Sequence, residues 1–453
     1  MQRLLPRLAL LCFLGFAALP GLARAETRLD IDTSRLLVVR LLVDGEYRAA
    51  HAVTSALLQR PNAPLSDHLL HARALRGVGQ HQAAGDLAKD VFNRAQSPKL
   101  RYDAAMVVAQ ALSSDRRKTM AQLWLRRAAE IAPDEHRKER AVRDFRYVRA
   151  TNPWSVQARF GISPSSNINR GPTDNTFTWN GLTFIDPALV PLRGYEISSG
   201  FNLTRRVPLS PDTRLRFSLI ADDSRFVLSP SAKAKVPTAR ASDYAFSALE
   251  TQATLDWSTP ESPWSHENSL ALGRNWSGGE HLTDYVRIGM ASYRSLNERN
   301  HIGLNFSAER QWRQDLALRS ADVISVGGRW GHALSSGARL VLDLGFSDMD
   351  SDSADIAHQK ARVGLTYAPG QPVLGALASL SVGLESRWYD RPLYAPEPRE
   401  DTRLSIGGSL FFTEFDLFGF APKVGLTATR TNSNVSRFET EALEFNLGLQ
   451  SVF

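Results

Sequence analysis

Side chains able to do chemistry are spread thinly along this sequence. Its ten histidines include no H-x-x-x-H, no H-E-x-x-H and no nucleophile-elbow context, so neither a zinc-protease helix nor a serine-hydrolase turn is encoded. A lipid-cleaving barrel would need a serine–histidine pair on adjacent strands. His301 and His332 fall in strand-like stretches, yet no nearby serine is singled out by its neighbours, and both read as lumen or rim residues. Asp222-Asp223 and Asp284 stand where a rim acid protease would keep its carboxylates, by position only. The run Asp348, Asp350, Asp352, Asp355 resembles the opening of a calcium loop. Ser353 replaces the glycine that the sharp turn needs, however, and Gln359 replaces the bidentate glutamate, so a solvated loop is expected. The sequence therefore predicts no catalytic residues, no cofactor and no resident metal.

The elements that would position such residues begin with a leader. Arg3 and Arg7 precede an apolar run, Leu8 to Ala18, then Pro20-Gly21 and an A-x-A site at Ala23-Arg24-Ala25. Residues 1–25 are expected to be a cleaved secretory signal, too short to span a membrane. Cys12, the one cysteine, lies inside that run, which would leave the mature chain without disulfides or thiol chemistry. Residues 26–153 carry 22 basic and 15 acidic side chains, and residues 154–453 carry 29 and 32. The basic excess belongs to the first part alone. It forms no stripe with interleaved aromatics, and export makes a nucleic-acid partner improper to expect. After residue 25 no apolar stretch reaches eighteen residues, and Leu36 to Val43 is interrupted by Arg40, so any membrane crossing is not helical.

Residues 26–150 have helical periodicity and an internal repeat. Gly45-Glu46-Tyr47-Arg48-Ala49-Ala50 returns 34 residues later as Gly79-Gln80-His81-Gln82-Ala83-Ala84. That is the tetratricopeptide period. Ala121, Leu125, Ala128 and Pro133 match the second helix of a third unit, with Pro61, Pro98 and Pro133 expected to close the units. Gly45, Tyr47, Ala50, Gly79, Ala84, Ala121, Ala128 and Pro133 are the expected packing positions of an all-α, tetratricopeptide-like domain. Stacked helical hairpins offer a concave groove, which implies binding rather than catalysis.

At Asn152-Pro153-Trp154 the period becomes two, and residues 151–453 read as a transmembrane antiparallel β-barrel. Fourteen strands are expected, at about 154–163, 195–205, 213–222, 244–257, 265–276, 283–295, 300–312, 320–332, 338–348, 358–368, 377–389, 402–412, 421–431 and 440–453. Long connections (164–194, 223–243, 349–357, 390–401) follow odd strands and short ones follow even strands. Both termini are thereby placed in the periplasm, in contact with outer-membrane lipid and lipopolysaccharide on the barrel's outside. Seven of nine tryptophans (Trp154, Trp257, Trp264, Trp276, Trp312, Trp330, Trp388) sit near strand ends, as aromatic girdles require. Arg159, Arg205, Arg287, Arg329, Arg387 and Arg403 are expected in a polar lumen. Asn446, Gly448 and Phe453 fit the terminal signal read by the barrel-insertion machinery, although Ser451 stands where an apolar residue is usual.

The junction carries a resemblance. Asn152-Pro153-Trp154 followed by Gly161-Ile162-Ser163-Pro164-Ser165-Ser166-Asn167-Ile168-Asn169 resembles the barrel start of the surface lipoprotein assembly modulator (Slam) family, with Asn167, Ile168 and Asn169 its most specific piece. In order and proportion the resemblance covers the chain after the leader. It implies a periplasmic tetratricopeptide-like domain before a fourteen-stranded barrel. It also implies translocation of specific protein substrates, surface lipoproteins or related secreted proteins, across the outer membrane by type XI secretion, with a periplasmic chaperone as a further partner. Three repeats are fewer than that family's substrate-engaging domain leads one to expect. Two alternatives stay open: a polysaccharide export porin with tetratricopeptide repeats, and a barrel hydrolase.

Overall fold

The computed structural model describes residues 29–452 except 174, 180–181 and 186–188. The expected signal peptide, residues 1–25, and Phe453 lie outside the described residues.

The first region is seven helices: α1 (Ile31–Val43), α2 (Tyr47–Leu58), α3 (Leu65–Gly77), α4 (His81–Arg94), α5 (Pro98–Ser114), α6 (Lys118–Glu130) and α7 (Glu135–Thr151). Asp30 and Asp134 begin α1 and α7 by accepting hydrogen bonds from the Thr33 and Arg137 amides, at 2.8 and 2.9 Å. Gly45 and Gly79, 34 residues apart, turn the chain between α1 and α2 and between α3 and α4 with φ of +82° and +87°, a region other residues enter at a cost. Arg116 takes the equivalent turn before α6 at φ +61°. Ala50, Ala84, Ala121 and Ala128 are fully buried, where a larger side chain would drive neighbouring helices apart. Tyr47 lies against Gly77, leaving no room for a Cβ there. Pro133 is exposed just before α7. Pro98 differs from expectation: it is the first residue of α5, where its missing N–H is not needed, so it opens a helix rather than closing one.

The core of this region is ordinary in sign. Phe92, Val91, Val108, Leu125 and Phe145 are buried together, with Trp124 edge-on to Phe92 at 5.2 Å between ring centroids. Each large side chain so buried contributes roughly 1.5–3 kcal/mol.

The second region inverts that order. Its strands are β1 (Trp154–Ser165), β4 (Gly194–Pro208), β5 (Thr213–Leu228), β6 (Phe246–Ser258), β7 (Trp264–Ser277), β8 (Glu280–Ser295) and β9 (Asn300–Arg313). They continue with β10 (Ala321–Ala333), β11 (Arg339–Ser351), β12 (His358–Ala368), β13 (Leu377–Tyr389), β14 (Glu400–Phe411), β15 (Phe420–Ser433) and β16 (Thr440–Ser451). They form one closed antiparallel barrel of fourteen strands, each next to its sequence neighbour, with β1 and β16 meeting to close it. Every expected strand is present, most of them one to six residues longer. A two-stranded hairpin, β2 (Thr176–Trp179) with β3 (Leu182–Ile185), and a short helix, α8 (Pro230–Lys235), lie in connections read from sequence as plain loops. Their few residues carry too little periodicity to be seen.

Alternation along each strand sends Leu304 and Phe306 of β9, Ile324 and Val326 of β10, and Leu344 and Phe346 of β11 to the outside, side by side and exposed. A continuous apolar band on the outer face of a closed sheet has one stable solvent, hydrocarbon. No helix of the described residues is long and apolar enough to cross a membrane.

Candidate transport conduit

Ion pairs line one arc of the barrel interior. Arg159 of β1 reaches Asp222 at 2.6 Å, and Arg216 of β5 bridges Asp256 and Glu267 at 2.7 and 3.1 Å. Arg287 of β8 sits between Glu250 and Glu309 at 2.5 and 3.1 Å, while the Tyr285 hydroxyl donates to the same Glu250. Arg329 and Asp343 join β10 to β11 at 2.6 Å. Arg387 of β13 pairs within its own strand, with Glu385 at 2.6 Å.

The opposite arc is built differently. On β13 to β16 the inward positions include Ser379, Ser381, Gly407, Ser409, Gly425, Thr427 and Gly448, which leave a space of about 540 Å³ against the wall. Arg403 of β14 and Lys423 of β15 also face inward here, as do Lys360 and Arg362 on neighbouring β12, and no ion pair holds them among the described residues. The lumen is therefore largely polar, with cross-strand ion pairs dense on one arc and cations in excess on the other. Such a lining is suited to holding water rather than forming a dry apolar core.

Arg205, expected in the lumen, is outside. Its cross-strand partners are Trp154 and Phe217, and its guanidinium lies 5.1 Å from the Trp154 ring centroid, at the girdle. Leu203 and Val207, its neighbours two residues away, fix that face by register. Trp257, Trp264 and Trp330 join Trp154 at the helical end, whereas Trp276, Trp312 and Trp388 stand at the other. Above the apolar band at that far end, outward charges pair along the rim: Arg274 with Asp284 at 2.6 Å and Arg310 with Asp322 at 2.5 Å.

The candidate catalytic carboxylates are dispersed. Asp222 faces inward to Arg159, while Asp223 faces outward to Arg225 and Ser247, so these neighbours cannot share a proton. The acidic run is not one loop. β11 continues to Ser351, which places Asp348 and Asp350 on a strand, and Asp355 lies 3.6 Å from Arg319. His301 faces the lumen at the helical end, 2.9 Å from Ser295, and His332 lies outside with Asn300 at 2.9 Å, stacked on Trp330. A serine–histidine pair missed in the sequence does occur on the outer face: His266 Nδ1 is 2.8 Å from Ser292 Oγ across β7 and β8, with Trp257 stacked on the imidazole at 4.2 Å. Register alone brings these residues together, 26 positions apart.

Asn167, Ile168 and Asn169 organise the mouth opposite the helices. Asn167 is buried; its amide nitrogen donates to the Gly171 and Glu441 carbonyls at 2.8 and 3.0 Å, and its oxygen accepts from the Gly171 amide. Ile168 packs with Leu192, Leu228 and Val236. Asn169 spans to Val190 and Leu192 at 2.9 Å each. These residues are thus folded onto the lumen, where they and inward Glu196, Arg403 and Glu444 border a cavity of about 710 Å³.

Asn446 and Gly448 lie within β16, the strand that closes the barrel. Ser163 Oγ donates to Asn446 Oδ1, and a Cβ at Gly448 would stand 3.1 Å from the Phe160 carbonyl. The seam is short: Gly161 pairs with Gly448, Ile162 with Leu447 and Ser165 with Glu444, but no β16 partner is formed for Gln157 to Phe160 among the described residues. The helices hold both sides of this gap. α7 runs through Asn152 into β1, and Arg206 of β4 donates to the Asn152 carbonyl at 2.9 Å. From α6, Arg126 donates to the Phe418 and Gly419 carbonyls and to Ser451 Oγ, at 3.0, 3.0 and 2.8 Å, with Phe145 and Phe420 on its faces. Burial there lowers its guanidinium to about 10. Lys138 pairs with Asp416 at 3.2 Å, and Val452 packs onto the helical core. The helix contacts thus converge on the end of β16 and the turn before β15, while Asn446 and Gly448 pair with β1 further along the same strand.

No family model and no curated protein matches this chain. Among solved structures it is similar to an outer-membrane channel from Pseudomonas putida F1, at 15% identity over 65% of this chain and 95% of that one, with a TM-score of 0.31. It is also similar to a bacterial polysaccharide outer membrane secretin (11% identity, 65% and 98% covered, TM-score 0.33). A third similar structure is Acinetobacter baumannii OccAB4 (8% identity, 65% and 98% covered, TM-score 0.36). Nothing about cargo transfers at such distances; the barrel reading rests on this chain's own register and apolar band.

Proposed function

We propose that this chain is an outer-membrane translocon that moves specific protein substrates, surface lipoproteins or related secreted proteins, from the periplasm to the cell surface in the manner of the Slam family. One observation carries the reading: the helical region grips both edges of the incompletely paired β1–β16 seam, through Asn152 on one side and Arg126 on the other. A passive pore has no use for such a coupling. In the proposed orientation the helices lie in the periplasm, receive substrate or its chaperone in their tetratricopeptide-like groove, and stand beside both exits, the polar lumen and the seam. The periplasm offers no ATP, so net movement would be drawn by folding of the substrate outside.

The test is surface labelling of intact cells that co-express an epitope-tagged lipoprotein encoded beside this gene. Display is expected with the full chain and lost when residues 29–151 are removed while the barrel still inserts. Equal display without the chain overturns the reading. A second reading, export of an anionic polysaccharide, draws on the unpaired Lys360, Arg362, Arg403 and Lys423 wall; polymer retained in the periplasm of a deletion strain would favour it.

A further inference from the structure

The helical groove contains a charged cluster that the seam contacts do not use. Arg73 and Arg76 lie one turn apart on α3, and Arg140 projects from α7. All three line one cavity of about 310 Å³ together with Asp103 and Met106 of α5 and Tyr47 of α2. Elsewhere in this region inward arginines are matched: Arg35 and Arg60 both reach the fully buried Asp67. The cavity trio has no ion-pair partner among the described residues, and the Arg76 Nε–H is shielded from solvent with nothing to accept its hydrogen bond. An unmet donor on a charged group at the cavity wall is one that a bound acceptor would satisfy. Burial also lowers the Arg73 guanidinium, partly opposed by Asp103 and reinforced by repulsion from Arg140 and Arg76.

We propose that this cavity recognises carboxylates of an acidic polypeptide segment bound in extended form along the groove. The inference rests on the translocon reading only for where that polypeptide comes from. Asp103 is the one carboxylate in the lining against three guanidiniums, and even with Asp144 near Arg140 a net positive charge remains; the planar fork of arginine matches a carboxylate through paired N–H donors. Tyr47 and Met106 supply apolar wall for the aliphatic stems of peptide side chains, which a glycan does not have. The volume is at the small end of ligand sites, roughly 300–1,000 Å³, enough for one or two side chains rather than a folded surface.

The experiment uses the purified full chain in detergent and fluorescence anisotropy of a fluorescein-labelled ten-residue peptide of alternating Glu and Leu. The control peptide alternates Gln and Leu. The Glu peptide is expected to bind in a salt-sensitive way and the Gln peptide at least about tenfold more weakly, the equivalent of one lost charge-assisted bond. Arg76→Gln and Arg140→Gln should each weaken the Glu peptide about tenfold. Arg140 is exposed, so its replacement leaves the helices folded, which far-ultraviolet circular dichroism checks. Equal binding of the two peptides, or wild-type affinity in Arg140→Gln, overturns the proposal. So does polygalacturonate displacing the peptide at lower carboxylate concentration than unlabelled Glu peptide, which would make the site one for anionic glycans. Peptide binding with no lipoprotein display would sink the translocon reading and leave this site standing; display with no peptide binding would do the reverse.

Discussion

The helical region and the barrel solve opposite solvent problems with similar residues. In the helices Phe92, Leu125 and Phe145 are inside and charge is outside; in the barrel Phe306, Leu344 and Phe346 are outside and Arg287, Glu250 and Glu309 are inside. The difference teaches that an exposed apolar residue has no fixed meaning. On the helices it is a blemish, and on the barrel it is the surface that matches hydrocarbon. The two regimes meet within three residues, between Thr151 and Trp154, and Arg126 and Lys138 tie them a second time, at the turn before β15 and the end of β16.

This contrast is broken most severely in the helical core. Phe92→Ala should cost about 3–5 kcal/mol, because it removes the partner of Trp124 and leaves a cavity between α4, α5 and α6. Helical ellipticity should melt at lower temperature, while the barrel keeps its heat-modifiable mobility on a denaturing gel. A parallel loss of both would mean that the regions fold as one unit. Next in size is a pair of substitutions on adjacent residues of β9. Phe306→Arg places a charge on the outer face at mid-strand and should cost about 2–4 kcal/mol in urea titrations of folding into vesicles. Asn305→Arg, pointing inward, should move the same midpoint little. Equal effects at the two positions would contradict the assigned register.

The smallest expected effect is one of pH. Burial, with His51 and His68 nearby, holds the His71 imidazole below its ordinary value, and Thr54 Oγ1 lies 2.9 Å from its Nδ1. The folded state therefore favours neutral His71. As pH falls below the unfolded value, the unfolded chain takes up a proton that the folded chain resists, and helical stability declines until the folded value is passed. Helical melting followed from pH 7.5 to 5 should reveal that slope, and His71→Gln should flatten it without moving the barrel transition. An unchanged slope in the variant assigns the pH dependence to other groups.

Much of this architecture was legible because periodicity is local. Alternation from Trp154 onward marked all fourteen barrel strands, and the 34-residue spacing of Gly45 and Gly79 marked two equivalent turns. Arg205 was misread because charge suggested a lumen, whereas register placed it beside Trp154, where an arginine can keep its head in the interface. Pro98 was misread because proline both ends and begins helices, and only the turn around it decides which. The mouth-lining residues around Asn167 and Asn169 could not be read as such, since they are held by bonds to carbonyls up to 274 residues away.

The sequence by itself determined the barrel strands, the seven helices before them and the alternation of faces along each strand, because these follow from side chains two, three or four positions apart. It also placed the positive charge excess in the helical part. Only the tertiary structure decided what depends on distant segments meeting. Closure left β1 and β16 short of full pairing, Arg126 met Ser451 across 325 residues, and Arg73, Arg76 and Arg140 converged on one cavity from two helices. Each of these is a matter of register and packing summed around a closed circuit, and no local pattern encodes that sum.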